Sequence, residues 1–114
     1  MSDCLFCGII DGSVKANVVY QNDQIVAFKD INPKAPVHVL IIPRKHIVGV
    51  LDVAVADGAL IAEIFQVAAR LARELRIADS GFRVVVNSGP DSGQSVFHLH
   101  YHLLGGRQMD WPPG

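Results

Sequence analysis

The sequence carries little net charge and contains no long hydrophobic run. Its 10 basic and 11 acidic residues give a formal net charge of −1, which excludes the basic surface that binds nucleic acid or an anionic membrane. The longest apolar stretches, such as "VLII" at 39–42, are far too short to cross a bilayer. No basic segment precedes the apolar residues near the N-terminus, as a secretory signal requires. We therefore expect a cytoplasmic protein that has neither nucleic acid nor a membrane as its partner.

Cysteine is scarce, and repeats and low-complexity tracts are absent from the sequence. Cys4 and Cys7 stand in a C-x-x-C spacing, which suits a disulfide, a redox pair or half of a metal site. Without an export signal the reduced alternatives are favoured, and the pair does not follow a first strand as a thioredoxin-like motif would. At 114 residues the chain can bury one core but not two, so we expect a single domain over residues 1–114.

Hydrophobic periodicity predicts an α+β fold, an antiparallel sheet of about five strands with one long and one short helix. The long helix has an apolar stripe of Leu60, Ile61, Ile64, Phe65, Ala68, Leu71, Ala72 and Leu75. Half of the residues are apolar, which indicates that some apolar surface is covered in a homodimer. The predicted elements are a short helix at 4–11 ending at Gly12, a hairpin at 18–30, strands at 37–43, 82–87 and 95–104, and the long helix at 57–76.

Three of the five histidines occupy alternate positions in "SVFHLHYHLL", residues 95–104. In an extended strand these histidines share one face, and the intervening Leu99, Tyr101 and Leu103 share the other. Imidazole at such positions serves proton transfer, nucleophilic attack or metal binding. One catalytic zinc held by all three is disfavoured, because His98 and His102 would lie about 13 Å apart along a regular strand.

The loop "NSGPDSGQS" at 87–95 precedes this motif and is rich in glycine and hydroxyl groups. It lacks the G-K-[ST] of a Walker P-loop, but its glycines allow backbone N–H groups to approach an anion. The loop ends at Ser95, beside the histidines. Backbone donors, a hydroxyl and imidazoles can therefore converge on one phosphate.

The segment "HLHYHLL" at 98–104 fits the pattern His-φ-His-φ-His-φ-φ, where φ is apolar, and resembles the histidine triad family. The similarity extends through "FKDINPKAPVHVLIIPRKH" at 28–46, "GQSVFH" at 93–98 and the tail "LLGGRQMDWPPG", which together resemble the Hint branch. Members of that branch hydrolyse the P–N bond of adenosine or guanosine phosphoramidates through a covalent nucleotidyl-histidine. A dinucleoside polyphosphate hydrolase, and a nucleotide-binding interaction protein with incidental turnover, remain the alternatives.

The resemblance also implies roles for individual residues. His100 would be the nucleophile, with its second N–H held by a main-chain carbonyl, while His102 and His38 would donate to phosphate oxygens. Ser95 would contact the phosphate or the departing amine, and Asp30, beside Ile31, would bind the ribose hydroxyls. The other implied nucleotide contacts are an apolar base slot of Leu5, Phe6, Ile9, Phe28 and Leu40, the phosphate-end residues Asn87, Gly93 and Gln94, and Trp111 in the tail, which would reach the partner's site.

Several of these residues have a purely structural alternative. The apolar side chains of the slot are equally expected in a core, and Asp30 before "INP" can simply open a turn. In several bacterial relatives the N-terminal C-x-x-C binds zinc, which implies a structural Cys₂His₂ site of Cys4, Cys7, His46 and His98. The alternative for the cysteines is a pair of reduced, buried thiols. The resemblance further implies a homodimer whose sheet continues across a two-fold axis.

Overall fold

The computed structural model describes residues 4–114 and confirms the α+β architecture expected from the sequence. Five strands form one antiparallel sheet in the order β1-β2-β3-β5-β4. The elements are α1 (Leu5–Asp11), β1 (Val18–Gln21), β2 (Ile25–Lys29), β3 (Val37–Pro43), α2 (Gly58–Glu74), β4 (Phe82–Val86) and β5 (Tyr101–Gly105), with single 3-10 turns at Val50–Asp52, Val55–Asp57 and Pro90–Ser92.

The strand order brings distant parts of the sequence together. β5, which carries the end of the histidine motif, lies between β3 and β4. On β3, Leu40 pairs with His102 and His38 pairs with Leu104. The face of β3 that carries His38 is therefore beside the face of β5 that carries His102.

The sheet has a separate apolar core on each face, because successive strand residues point to opposite sides. Ile25, Val39 and Ile41 pack on the side of α2. Val26, Phe28, Leu40 and Ile42 pack with Phe6 of α1 on the other side. The alternation therefore fixes which side chains of β2 and β3 can reach the surface that α1 covers.

Helix α2 confirms the predicted amphipathic helix, with one error in its stripe. Ile64, Ala68 and Leu71 are buried, but Phe65 is 51% exposed and contacts the edge of Tyr101 with ring centroids 5.5 Å apart. Val67 is buried instead. The reason is the helical period: Val67 lies three residues after Ile64 and four before Leu71, at the centre of the buried face.

The histidine motif is only partly a strand, contrary to the prediction of a strand over 95–104. β5 begins at Tyr101, because the preceding residues bond to the segment after β3 rather than to a strand. The Leu99 N–H donates to the Ile47 carbonyl at 2.6 Å. The apolar alternation persists nevertheless, since Leu99, Tyr101 and Leu103 are all buried on the α2 side.

The short helix α1 ends as predicted at Gly12, whose φ of +87° lies in the left-handed region that favours glycine. Phe6 is buried beneath the helix, whereas Leu5 is 49% exposed. Over residues 4–114, neither helix combines the length and the apolar character needed to traverse a bilayer.

Candidate active site and metal centre

A cleft of about 270 Å³ opens between α1, the ends of β2 and β3, and the histidine motif. Apolar side chains of α1 and the sheet line it together with charged and polar groups. That combination suits a ligand with a flat apolar part and a charged part. The lining residues are Leu5, Phe6, Ile9, Val14, Lys15, Ala16, Phe28, Lys29, Asp30, Ile31, Leu40, Ser95, Val96, His100 and His102.

His100 is held in one tautomer by the main chain of the motif. Its Nδ1 lies 2.7 Å from the carbonyl oxygen of His98, and since a carbonyl only accepts, the proton of the neutral ring is on Nδ1. The ring is buried and its centroid lies 5.0 Å from that of Phe6, nearly perpendicular to it. Nε2 of His100 therefore keeps its unshared pair, which is what a nucleophilic imidazole needs.

His38 and His102 form a hydrogen-bonded pair with a defined direction. The backbone N–H of Lys34 donates to His38 Nδ1 at 3.0 Å, so the proton of a neutral His38 is on Nε2. His38 Nε2 lies 2.9 Å from His102 Nδ1 and donates to it. The proton of His102 is consequently on Nε2, a buried atom with no hydrogen-bond partner among residues 4–114.

His102 lines the cleft, and its Nε2–H is a buried donor without a hydrogen-bond partner among residues 4–114. A buried donor without a partner costs about 1–3 kcal/mol, so an acceptor there is favoured. Burial, with further contributions from neighbouring His100 and His38, lowers the pKa of His102 to about 4. Near neutral pH the ring is therefore an uncharged N–H donor rather than a cation.

His38 does not line the cleft itself, which differs from the expectation that it faces the phosphate directly. Its side chain lies behind His102 and contacts the Asp30 carboxylate, with Nε2 3.3 Å from Oδ2. Burial lowers the pKa of His38, while the Asp30 charge opposes that shift. We interpret His38 as a residue that orients His102.

Asp30 occupies the position where the cleft meets this histidine pair. Its Oδ1 accepts the backbone N–H of Asn32 at 2.8 Å, so the turn expected at this residue is present. The same side chain also lines the cleft, next to Ile31, which is 94% exposed. Asp30 therefore combines a turn with a carboxylate available to hydroxyl groups.

The structure brings only part of the glycine-rich loop to the cleft. Ser95 lines it, whereas Gln94 is buried and binds the backbone, accepting the Gly89 N–H at 2.9 Å and donating to the Val48 carbonyl at 2.9 Å. Asn87 and Gly93 are absent from the lining as well. Contact of Asn87, Gly93 and Gln94 with a nucleotide stays a prediction.

The tail lies away from the cleft of its own chain. Trp111 is 81% exposed, and the Arg83 guanidinium lies 6.0 Å from the centre of its ring. The Arg83 side chain also donates to the Asp110 carbonyl at 2.9 Å. A role of Trp111 at a partner's site stays a prediction.

The four predicted zinc ligands converge, with all four ligand atoms within 4.8 Å of one another. His98 Nδ1 lies 3.4 Å from Cys4 Sγ and 3.6 Å from Cys7 Sγ, and His46 Nδ1 lies 3.3 Å from Cys7 Sγ. A tetrahedral zinc with ordinary Zn–S and Zn–N bonds requires nitrogen–sulfur separations of about 3.5 Å. The residues therefore fit a structural zinc ion, which would tie α1 to two distant loops.

The surroundings of these side chains also suit a metal. His98 Nε2 lies 2.7 Å from the Pro43 carbonyl, which places the proton on Nε2 and leaves Nδ1 for the ion, the arrangement that orients ligating histidines. The backbone N–H of Cys7 donates to Cys4 Sγ at 3.3 Å. These two contacts support the ligand set.

A second group, Asp30, His38 and His102, also has ligand atoms within 4.8 Å of one another. The hydrogen bonds of this group disfavour metal binding. The Lys34 N–H occupies His38 Nδ1, so Nε2, the atom that would face the ion, carries the proton. We therefore interpret this group as a proton-donating pair with a carboxylate rather than as a metal site.

The geometry agrees with what is found among known proteins. A family model described as the HIT domain matches residues 11–109. The chain belongs to the HIT family. An uncharacterized HIT-like protein of Synechocystis sp. is 46% identical over 112 residues, covering 98% of this chain and 97% of the relative.

Two further HIT relatives bear on the sites described above. A 14 kDa zinc-binding protein of Brassica juncea is 41% identical over 114 residues, covering 98% of this chain and all of that protein. The crystal structure of a HIT family hydrolase from Legionella pneumophila superposes with a TM-score of 0.97 at 49% identity, covering 98% of this chain and 100% of that one. The chain therefore has the HIT fold and is similar to a HIT family hydrolase.

A main-chain carbonyl beside His100 was expected from the resemblance, and the His98 carbonyl occupies that position. Sequence reasoning missed the other two main-chain groups, the Lys34 N–H and the Pro43 carbonyl, which set the tautomers of His38 and His98 and which no side-chain pattern identifies. Cleft residues Val14 and Ala16 were also missed. The hydrophobic residues in the segment after Gly12 are the one signal that could have indicated them.

Proposed function

We propose that this HIT protein hydrolyses the P–N bond of purine nucleoside phosphoramidates through a nucleotidyl-His100 intermediate, as in the Hint branch. The observation that carries the proposal is the 2.7 Å hydrogen bond from His100 Nδ1 to the His98 carbonyl. It leaves Nε2 of a buried, cleft-lining ring as an unprotonated nucleophile.

The base is proposed to lie against the apolar wall of the cleft, and the ribose hydroxyls to bind the Asp30 carboxylate. Phe6 and Phe28 pack edge to face in this wall, with ring centroids 5.4 Å apart, and Leu40 and Ile9 complete it. The cleft combines apolar side chains with a carboxylate and imidazoles, which suit the base, the ribose and the phosphate of a nucleotide. This combination supports a nucleoside 5′-phosphate derivative as substrate.

In the first step, the unshared pair of His100 Nε2 forms a bond to phosphorus while the bond from phosphorus to the amine breaks. The amine leaves with that electron pair and takes one proton from solvent, relayed by the Ser95 hydroxyl, because an amide anion is a very poor leaving group. The His100 Nδ1 proton stays on Nδ1, hydrogen-bonded to the His98 carbonyl. The neutral N–H of His102 donates to a phosphate oxygen as charge develops.

In the second step, water attacks phosphorus and the bond to His100 Nε2 breaks. The products are the nucleoside monophosphate and the original neutral imidazole, and one proton returns to solvent. Structural zinc would be held by Cys4, Cys7, His46 and His98, where it would stabilise the fold without entering the reaction.

A trapping experiment tests this function. Adenosine 5′-phosphoramidate labelled in the nucleoside is mixed with excess enzyme, quenched in alkali, in which phosphohistidine survives, and the labelled peptide is mapped. We expect a labelled His100 in the wild type and no label in His100→Ala, with Asp79→Ala as a control on the exposed loop after α2. A label on another histidine, or turnover that persists in His100→Ala, would contradict the proposal.

Relative rates separate the remaining alternatives. The guanosine phosphoramidate and a diadenosine polyphosphate are compared with the adenosine substrate by kcat/KM. A higher value for the diadenosine polyphosphate would favour the neighbouring hydrolase class. Nucleotide binding without turnover of any of the three would favour an interaction protein.

A further inference from the structure

A second cavity, of about 570 Å³, adjoins the cleft. Leu5, Ser95 and Val96 line both cavities and therefore form the border between them. The other lining residues of the second cavity are Cys4, His46, Val48 and Phe97. A ligand that fills the cleft and extends past Ser95 enters this second cavity.

The second cavity presents apolar side chains and no charge. Phe97 is 58% exposed, and Leu5 and Val48 are exposed as well. Cys4 and His46 direct Sγ and Nδ1 toward the predicted zinc site. No Asp, Glu, Lys or Arg among residues 4–114 lines the cavity, so a charged ligand group would lose water there without gaining a counterion. The cavity therefore suits an apolar, uncharged group.

In the proposed reaction the leaving amine lies at the border between the two cavities. Its nitrogen is bonded to the phosphorus that His100 attacks, and the Ser95 hydroxyl relays a proton to it. A substituent on this nitrogen therefore begins at Ser95, while the nucleoside occupies the cleft. The adjoining space that is left for the substituent is the second cavity.

On the basis of the proposed function, which places the amine at Ser95, we infer that Phe97 and Val48 form a leaving-group subsite. This subsite makes the enzyme prefer phosphoramidates whose amine carries an uncharged, apolar substituent. The two side chains take no part in bond breaking. They bury the substituent in the bound substrate and in the transition state alike, which raises kcat/KM.

Two substrates that differ in the substituent test the subsite. They are the adenosine 5′-phosphoramidates of 2-phenylethylamine and 2-methoxyethylamine, primary amines of similar basicity, so the leaving groups are chemically matched. In the wild type we expect kcat/KM to be about tenfold higher for the phenylethyl substrate, the usual effect of an additional apolar group in an apolar pocket. Equal values would reject the subsite.

Substitutions in the second cavity locate the preference. Phe97→Ser and Val48→Ser should each reduce the ratio of the two kcat/KM values to about threefold or less, because the substituent loses apolar surface. Phe97→Leu should retain most of the ratio. Val55→Ser, the matched control for Val48→Ser, lies at a fully exposed position that lines neither cavity and should keep the wild-type ratio. A wild-type ratio in both cavity serine variants would contradict the assignment, since a general loss of activity cancels in the ratio.

A charged substituent tests the lack of a counterion in the cavity. The phosphoramidate of 2-(4-carboxyphenyl)ethylamine should have a wild-type kcat/KM about tenfold below that of the phenylethyl substrate. Val48→Lys supplies a counterion and should raise the value, whereas Val55→Lys should not. An equally good carboxyphenyl substrate in the wild type would mean that the substituent stays in water, which would reject the subsite.

Binding to His100→Ala provides a readout that does not need turnover, because this variant lacks the proposed nucleophile. We expect the Kd of the phenylethyl substrate, measured by calorimetry, to be about tenfold lower than that of the methoxyethyl substrate. Adding Phe97→Ser to this variant should remove most of the difference.

The proposed reaction and the subsite fail in distinguishable ways. Absence of turnover of every phosphoramidate, together with the expected difference in Kd, would reject the reaction and retain the subsite. Turnover of the phenylethyl and methoxyethyl substrates with equal kcat/KM would reject the subsite and retain the reaction. If Phe97→Ser fails to fold, Val48→Ser and the wild-type ratio still decide it.

Discussion

The main chain and the side chain of His98 serve two different sites. Its carbonyl accepts the Nδ1 proton of His100 at 2.7 Å, while its own Nδ1 lies 3.4 Å from Cys4 Sγ. Fixing the His98 ring among the cysteines therefore also fixes the carbonyl that sets the His100 tautomer. The cysteine and histidine cluster and the cleft are therefore linked through one residue.

We expect one zinc ion per chain, held by the cysteine and histidine cluster. Chelation should lower the thermal midpoint by about 10 °C or more, because binding free energy at such a site adds to folding stability. Elemental analysis and calorimetry measure both quantities. Cys4→Ala should contain no zinc and should not respond to chelator, whereas His102→Gln should retain one ion. Two ions per wild-type chain would show that Asp30, His38 and His102 also bind metal.

Removing the His102 donor should slow turnover without removing the covalent step. We expect His102→Ala to lower kcat by about 10²–10³-fold, the usual effect of losing one preorganised donor to a developing charge. Single-turnover labelling should still place the nucleotide on His100, at a reduced rate. A kcat of His102→Ala within threefold of the wild-type value would mean that another group stabilises the phosphate.

Folding stability should decrease in mild acid because of His102. Its pKa is 6.5 in the unfolded chain and about 4 in the folded protein, where His38, His100 and Asp30 face it. Between these values the unfolded chain binds more protons, so the free energy of unfolding falls as the pH is lowered, by up to about 3 kcal/mol from this group. Urea denaturation of wild type and His102→Gln at several pH values measures the slope. If the free energy of unfolding changed with pH in the same way in both proteins, His102 would not be the group responsible.

A homodimer stays a prediction, and its surface can be tested. β4 is an edge strand, and α2 leaves Phe65 51% exposed, which is a costly arrangement for a monomer. We expect light scattering to give the mass of a dimer at micromolar concentration, and Phe65→Glu to shift it toward the monomer. Val55→Glu, at a fully exposed position before α2, should leave the mass unchanged. A monomeric wild type would reject the interface.

Gly105 is required by close packing rather than by backbone conformation. A Cβ built there would lie 2.6 Å from Ile77 Cδ1 and 3.0 Å from its Cβ and Cγ2, so the whole Ile77 side chain would have to move. We expect Gly105→Ala to reduce the free energy of unfolding by about 1–3 kcal/mol. Gly58→Ala, where a Cβ meets nothing within 4 Å, serves as the matched control and should be neutral or slightly stabilising.

The sequence by itself determined the local elements and the sides of the sheet on which their residues lie. Alternation placed Leu99, Tyr101 and Leu103 together on the face opposite the histidines, and the structure buries all three. The helical period located α2, and Gly12 marked the end of α1. These features were predictable because burial imposes a period of two or 3.6 residues on any element with one apolar face.

Only the tertiary structure decided which distant groups meet and which atoms carry protons. Cys4 and His98 are 94 residues apart, and no local pattern records that their side chains converge. The motif enters β5 only at Tyr101, because Leu99 bonds to Ile47, a loop contact without a sequence signature. The direction of the His38–His102 pair depends on the Lys34 N–H, a backbone group that every residue except proline possesses. Sequence therefore supplies the imidazoles, whereas the fold fixes their tautomers through backbone donors and acceptors that it alone positions.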